Sequence, residues 1–200
     1  MKSDTDPKGA LFGKLTLRSS KQTNTSITLK WTKVQGASKY VIYGHKCGKT
    51  NKPKKLYTVT GNSMTLKKVA GASIKKGTYY KFIVVALDKN NNVVTTSKLI
   101  HVATKGGKVG NHKSVTIKKA VLKKAKALKK GKSLSLKPTV VPQSKKLKVK
   151  KHVAIRYESS NKKIATVSSS GKITAKSKGT CYVYVFAQSG VFKKVKVVVK

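Results

Sequence analysis

Asp88 and Glu158 are the acidic residues to consider first, because acid–base hydrolysis needs two carboxylates held close together. The other two acids of the chain, Asp4 and Asp6, lie at the N-terminus. The domain division derived below places Asp88 and Glu158 in different domains. We therefore expect neither a glycosidase nor an aspartic protease.

Histidine and cysteine offer the other route to chemistry. The four histidines lack i, i+4 spacing and the two cysteines lack CxxC spacing, so no zinc site is expected. Cys47 follows His45 by two residues, but an activated thiol also needs a third, orienting group. A bridge between Cys47 and Cys181 stays open, although a small buried apolar role for each is favoured. We predict no enzyme, no metal and no cofactor.

Two polar segments have the composition of ligand loops. Residues 88–92 place oxygen atoms at relative positions 1, 3 and 5, as a calcium loop does. Val93 stands where the loop needs Gly and Leu99 where it needs Glu, so a polar turn between strands is favoured. Residues 105–108 contain two glycines, but no Ser or Thr follows the last lysine, which argues against a phosphate loop.

Lysine dominates the composition. The chain has 47 Lys and Arg residues against four acids, a net charge of +43, and only Arg18 and Arg156 are arginines. Such a charge attracts polyanions. Guanidinium groups make the bidentate contacts that read phosphate and guanine, so the scarcity of Arg argues against sequence-specific nucleic-acid binding. Lysines alternate with apolar residues at 194–197, which predicts that much of the charge lies on solvent faces of strands.

Alternation with period two recurs along the chain and predicts strands. In the first half we expect strands at 13–18, 26–31, 39–43, 56–60, 64–67, 78–87 and 94–103. In the second half we expect them at 115–117, 133–137, 154–158, 164–168, 172–175, 179–187 and 191–199. Residues 105–112 contain three glycines without apolar periodicity and predict a short linker. Residues 118–130 have helix propensity, but a strand and a turn are favoured, because a lone helix would have little to pack against.

The first half resembles a fibronectin type III domain. The resemblance rests on Ile-Thr-Leu-Lys-Trp at 27–31, Tyr-Val-Ile-Tyr at 40–43 and the long apolar run at 77–86. It implies a core role for Trp31 and a corner role for Tyr80, whose hydroxyl ties the chain to its own backbone.

The second half resembles a bacterial immunoglobulin-like domain of group 2. The resemblance rests on Ser-Ser-Asn and Ala-Thr-Val within 155–167, followed by Gly-Lys-Ile-Thr-Ala at 171–175 and Lys-Gly-Thr at 178–180. Tyr157 stands where this family often has Trp, which keeps an aromatic side chain in the core.

These resemblances predict an all-β chain of two tandem immunoglobulin-like β-sandwiches joined by a short Gly-rich linker. The expected division is an N-terminal tail at 1–12, a fibronectin type III-like domain at 13–104, the linker at 105–112 and a bacterial immunoglobulin-like domain at 113–200. The two family resemblances imply an extracellular or cell-wall location, as in Lys-rich surface proteins of Gram-positive gut bacteria. We expect any secretion signal to lie outside this segment, and no stretch of the sequence is apolar enough to insert into a membrane.

The aromatic residues divide between core and surface. Trp31, Tyr80, Phe82 and Tyr157 are assigned to the two cores. The possible surface rings are Tyr43, Tyr57, Tyr79 and Tyr182 or Tyr184. Because they are few and scattered in the sequence, they do not predict a carbohydrate cleft.

The function predicted from these features is binding by a non-enzymatic surface module. The expected partner is a host protein such as an immunoglobulin or mucin, or an anionic cell-wall polymer. A structural stalk and a non-specific nucleic-acid binder are the alternatives, and the chain is expected to be a monomeric segment of a larger protein. Because sandwich modules often bind through loops, two loops are the predicted site. Their candidate residues are His45, Lys46, Lys49, Asn51, Asp88, Asn90, Asn91 and Asn92.

Overall fold

The computed structural model describes residues 6–147, 152 and 154–200, and these form two compact units. Unit 1 comprises the described residues of 1–111, 142–152 and 188–190. Unit 2 comprises those of 112–141, 153–187 and 191–200. The segment predicted as a linker is bonded to unit 1: the Asn111 side chain pairs with both the N–H and the C=O of Ala103, each at 2.7 Å.

Among its described residues, unit 1 contains ten strands. They are β1 (Leu17–Gln22), β2 (Ile27–Trp31), β3 (Lys39–Lys46), β4 (Lys54–Val59), β5 (Ser63–Leu66), β6 (Lys68–Val69), β7 (Ala72–Ser73), β8 (Tyr79–Leu87), β9 (Val93–Thr96) and β10 (Ile100–Ala103). One sheet has the order β1-β2-β5, and the other has the order β10-β8-β3-β4, with β9 also pairing with β8. All the pairings of these two sheets are antiparallel.

The core of unit 1 follows from the alternation of its strands. Trp31 is 2% exposed and lies 5.6 Å from Tyr40, ring centre to ring centre. Phe82 is fully buried. Tyr80 has the corner geometry that the resemblance implies, because its hydroxyl accepts a hydrogen bond from the Lys75 N–H at 2.9 Å.

In the part of unit 2 that the structure describes there are eight strands and one helix. They are β11 (His112–Thr116), α1 (Lys119–Ala125), β12 (Ser133–Ser135), β13 (Thr139–Pro142), β14 (Arg156–Ser159), β15 (Ala165–Val167), β16 (Lys172–Ala175), β17 (Gly179–Phe186) and β18 (Phe192–Val199); Pro142, the last residue of β13, is assigned to unit 1. The sheets have the orders β14-β17-β18, β12-β16-β15 and β11-β13. Their inner faces bury valines of β17 and β18 together with Ile173 and Leu136.

The favoured prediction of a strand near residue 118 was wrong, because α1 forms there. Its partner is β18, so the helix does have an apolar surface to pack against. Ala125 is completely buried, and Val121 and Leu122 contact the same core. Beyond the helix, the Leu128 N–H donates to Val198 O and the Lys200 N–H donates to Leu128 O, both at 3.0 Å. These two bonds cover the C-terminal end of the β18 edge.

Two strands of unit 1 also differ from prediction. The first begins at Leu17 rather than at residue 13, because residues 11–15 form a turn in which the Lys14 and Leu15 N–H groups donate to Leu11 O. The strand predicted over 94–103 is divided into β9 and β10. At the break, the buried Ser97 hydroxyl accepts the Val84 N–H at 2.9 Å. The Ser97 hydroxyl therefore takes the place of a main-chain carbonyl as the acceptor for one N–H group of β8. The short strands β6, β7 and β13 were not predicted.

Candidate binding surfaces

The two predicted binding loops lie at opposite ends of one strand pair. In the antiparallel pairing of β3 with β8, Lys46 pairs with Tyr80 and Lys39 pairs with Leu87. His45 and Lys46, predicted as loop residues, are the last two residues of β3, and the rest of the loop 45–51 follows them at the end where β8 begins. The loop 88–92 follows β8 at the other end. Because the ladder between them is eight residue pairs long, the two loops do not form one continuous patch.

The loop 45–51 is held by hydrogen bonds to its own backbone. The Asn51 amide donates to Lys46 O at 3.1 Å, and the Lys81 ammonium donates to Gly48 O, also at 3.1 Å. Lys81 is completely buried, so it is an exception to the prediction that lysines lie on solvent faces. His45 is half-buried, with Nδ1 3.3 Å from Lys46 O, whereas Lys46 and Lys49 are exposed. This loop therefore presents ammonium groups on a fixed backbone.

A cleft of about 640 Å³ lies beside this loop, lined by Cys47, Lys49 and Tyr79 among others. Burial raises the pKa of Tyr79, and the negative charge of the neighbouring Cys47 in its thiolate form raises it further. Neither Cys47 nor Cys181 forms a disulfide in the part of the chain that the structure describes. Among the described residues, no group of three His, Cys, Asp or Glu side chains could hold a metal ion.

The loop 88–92 is a polar turn organised by one carboxylate. Asp88 Oδ1 accepts the N–H groups of Asn90 at 2.9 Å and Asn92 at 2.8 Å, and Oδ2 accepts the Asn92 side-chain amide at 3.1 Å. The backbone bond from Asn92 is the largest cause that lowers the pKa of Asp88. Asn91 has a left-handed conformation, with φ of 67°. Asn90, Asn91 and Asn92 are exposed, so their side chains are accessible to a partner.

An apolar groove lies on unit 1 between these two loops. It encloses about 420 Å³ and is lined by Tyr43, Ile83, Val85 and Val93 among others. Val93 is 63% exposed and comes directly after the loop 88–92. Lys52 and Pro53, which follow the loop 45–51, also line the groove. Each predicted loop thus leads into the same apolar surface.

In unit 2 the structure assembles aromatic residues that seemed scattered in the sequence. Tyr182, Tyr184 and Phe186 occupy alternate positions of β17 and therefore lie on one face of the sheet. Phe192, the first residue of β18, pairs with Phe186 and shares that face. We call these four residues the aromatic face. Sequence reasoning missed it, although the alternation of Thr, Tyr, Tyr and Phe along β17 was a usable signal.

Cations lie directly against the aromatic face. The Lys194 ammonium is 3.8 Å from the centre of the Tyr182 ring and 6.0 Å from that of Tyr184. The Arg156 guanidinium is 4.8 Å from the centre of the Phe186 ring. Burial raises the pKa of Tyr184, and the negative charge of Glu158 raises it further. These distances are within the range of cation–π attraction.

The second half of the sequence matches one protein family. Residues 112–198 match the family Bacterial Ig-like domain (group 2). The group 2 match covers the strands from β11 to β18 and includes the aromatic face. It confirms the resemblance predicted for the second half, and together with the strand content it confirms the all-β fold with immunoglobulin-like sandwiches. Group 2 domains occur in bacterial surface and extracellular proteins.

Several solved structures are similar in part. A fibronectin type III domain of human fibronectin type III domain containing protein 3 has 16% identity and a TM-score of 0.37, covering 52% of this chain and 88% of its own. Pectate lyase PelI from Erwinia chrysanthemi has 13% identity and a TM-score of 0.36, covering 44% of this chain. An intimin C-terminal fragment has 19% identity and a TM-score of 0.34, covering 91% of this chain.

The matched regions span 28% of the pectate lyase and 62% of the intimin fragment. No curated protein matches the sequence. Among the described residues, no helix has the length and apolar character needed to cross a membrane.

Proposed function

We propose that this chain is a non-catalytic binding module of a bacterial surface or extracellular protein, and that its partner is an anionic polymer. One observation carries the proposal: the chain bears 47 basic residues against four acids, and most of its lysines are exposed on strands and turns. The match of unit 2 to a family that occurs in surface and extracellular proteins supports the location.

The type of cation favours a polymer of repeated charges over a specific sequence. An ammonium group is a compact point charge on a flexible stem, so it binds an anion without demanding the planar geometry that guanidinium matches. Lysines follow one another on exposed strand positions, for example Lys194 and Lys196 of β18. A polyanion bound along such a row releases its counterions, and this release drives binding.

Salt dependence tests the proposal. The probe is poly(glycerol phosphate), a wall-type polyanion, and dextran is the uncharged control. Between about 50 and 200 mM NaCl we expect the affinity for the polyanion to fall at least about tenfold, because each neutralised charge adds to the slope. Dextran should not bind. Absence of binding to the polyanion at 50 mM NaCl, or an affinity that salt does not change, would contradict the proposal.

A protein partner is the second candidate, and the apolar groove of unit 1 favours it. Added salt lowers the affinity of a packed apolar contact only a little, because salt screens interactions between charges. Immunoglobulin and mucin are the probes, measured at about 500 mM NaCl. Binding that persists there and is lost in Val93→Asp, but kept in Val94→Asp on the same strand, would identify the groove as the contact.

A further inference from the structure

The face of the β14-β17-β18 sheet that points away from the unit 2 core is rich in aromatic residues. On β17 the inward positions are Cys181, Val183 and Val185, all buried. The outward positions from Tyr182 onward are aromatic and are not part of the unit 2 core cluster. On exposed strand positions elsewhere in unit 2, such as Lys172 of β16, the chain places lysine or small polar residues. Large apolar groups on an accessible face often mark a binding surface.

The register places lysines beside these rings. Tyr182 pairs with Lys196, and Tyr184 pairs with Lys194, across the antiparallel β17–β18 ladder. Lys194 and Lys196 are exposed, Tyr182 is half-buried, and Phe192 is 37% exposed. Tyr184 and Phe186 are 9% and 2% exposed, so the aromatic face is accessible only at its two ends, at Tyr182 and at Phe192. The end at Tyr182 is the one that lies beside both Lys194 and Lys196.

We infer that Tyr182, Lys194 and Lys196 form a binding site for an acidic polysaccharide, an inference that rests on the proposed function. The tyrosine hydroxyl can bond to sugar hydroxyls at the edge of the ring, so this contact does not require the ring face. An ammonium group forms a charge-assisted hydrogen bond with a carboxylate. A chain of sugars that each carry a carboxylate meets both requirements at once.

The position of Lys194 favours such a ligand over single-stranded nucleic acid. A base binds by stacking on an open ring. The Lys194 ammonium already lies 3.8 Å from the centre of the Tyr182 ring, so a stacked base would have to displace it. A sugar carboxylate can instead bind the same ammonium from the solvent side without moving it.

Glu158 determines which end of the aromatic face favours an acidic ligand. It pairs with Tyr184 across β14 and β17, and its charge is close enough to raise the pKa of Tyr184. A carboxylate repels an acidic ligand, so binding is favoured toward Tyr182 and Lys196, away from Glu158.

The test compares variants of the site with matched variants elsewhere, in the full chain, with alginate oligosaccharide as the probe at about 100 mM NaCl. Tyr182→Thr removes a ring from the site, and Tyr57→Thr removes an exposed ring from unit 1. Lys194→Gln and Lys172→Gln each remove one charge from unit 2. We expect Tyr182→Thr and Lys194→Gln to weaken binding about five- to tenfold, and both controls to weaken it less than about twofold.

If the site variants and the control variants lose the same affinity for alginate while binding stays salt-dependent, the proposed site is wrong. The proposed function is not affected by that result. No salt-dependent binding of wild-type protein to alginate or poly(glycerol phosphate) would instead overturn the proposed function. Tighter binding of a thymidine oligonucleotide, lost in Tyr182→Thr, would overturn the choice of polysaccharide. If Tyr182→Thr fails to fold, the comparison of Lys194→Gln with Lys172→Gln tests the site instead. Both lysines are exposed, so we expect both of these variants to fold.

Discussion

His112 shows how burial of one residue makes the stability of unit 2 depend on pH. It is 7% exposed at the start of β11, and burial lowers its pKa below the ordinary value of 6.5. Between pH 6.5 and the lower pKa of the folded state, the unfolded chain binds more protons at this site than the folded chain does. The free energy of unfolding therefore falls as the pH drops from 6.5 through the lower pKa of the folded state.

We predict that the His112 imidazole titrates with a midpoint below 6.5, measured by NMR. His112→Gln should remove part of the loss of unit 2 stability between about pH 6.5 and 5, measured by amide exchange at Val195. His45→Gln is the control, because His45 lies in unit 1. A midpoint at or above 6.5 would show that burial does not control this group.

Among the elements, the turn before β8 depends on two glycines in contact. A Cβ on Gly77 would lie 2.7 Å from the Gly107 Cα, and Gly77 has a φ of 60°. The Gly77 N–H also donates to Lys105 O at 2.9 Å. The glycine-rich segment predicted as a linker is thus closely packed against the β8 turn, and its glycines permit that contact.

Gly77→Ala should destabilise unit 1 by about 2–4 kcal/mol, because it adds overpacking to an unfavourable left-handed conformation. Gly36→Ala is the matched control: Gly36 has a φ of 81° but nothing within 4 Å of its added Cβ. It should cost only about 1 kcal/mol. Denaturant unfolding followed by fluorescence of Trp31, the single tryptophan, measures both. If both variants lose the same free energy of unfolding, the contact with Gly107 does not contribute to the cost of Gly77→Ala.

Sequence alone predicted those elements in which local pattern and packing agree. The strand at 172–175 was found with its bounds, because its two faces differ in burial. Helix α1 was missed because its partner β18 lies about seventy residues later in the sequence. The aromatic face was missed for a similar reason: its four rings become neighbours only through the register of β17 with β18, which alternation does not determine. The separation of the loops 45–51 and 88–92 likewise depends on the pairing of β3 with β8.

At the scale of the whole molecule, net charge opposes folding. With 47 basic and four acidic residues, most electrostatic interactions between side chains are repulsive. Salt screens repulsion between exposed charges. We therefore predict that raising NaCl from about 20 to 500 mM increases the thermal midpoint by about 3 °C or more, which corresponds to about 1 kcal/mol.

A variant tests whether repulsion is the cause. Lysines 162, 163, 176 and 178 are exposed in unit 2, and their replacement by glutamine removes four positive charges. This variant should have a higher midpoint than wild type at 20 mM NaCl and a smaller response to salt. If its response equals that of wild type, the salt effect does not come from repulsion among these lysines.

The edge of β18 has a consequence for a protein displayed at high local concentration. A strand with unpaired N–H and C=O groups invites a second copy to continue the sheet. Here Leu128 bonds to the last residues of β18, and exposed Lys193, Lys194 and Lys196 occupy much of the rest of that strand. Two neighbouring copies would have to bring these ammonium groups together in order to join. We therefore expect crowded molecules to stay separate rather than to extend their sheets into fibres.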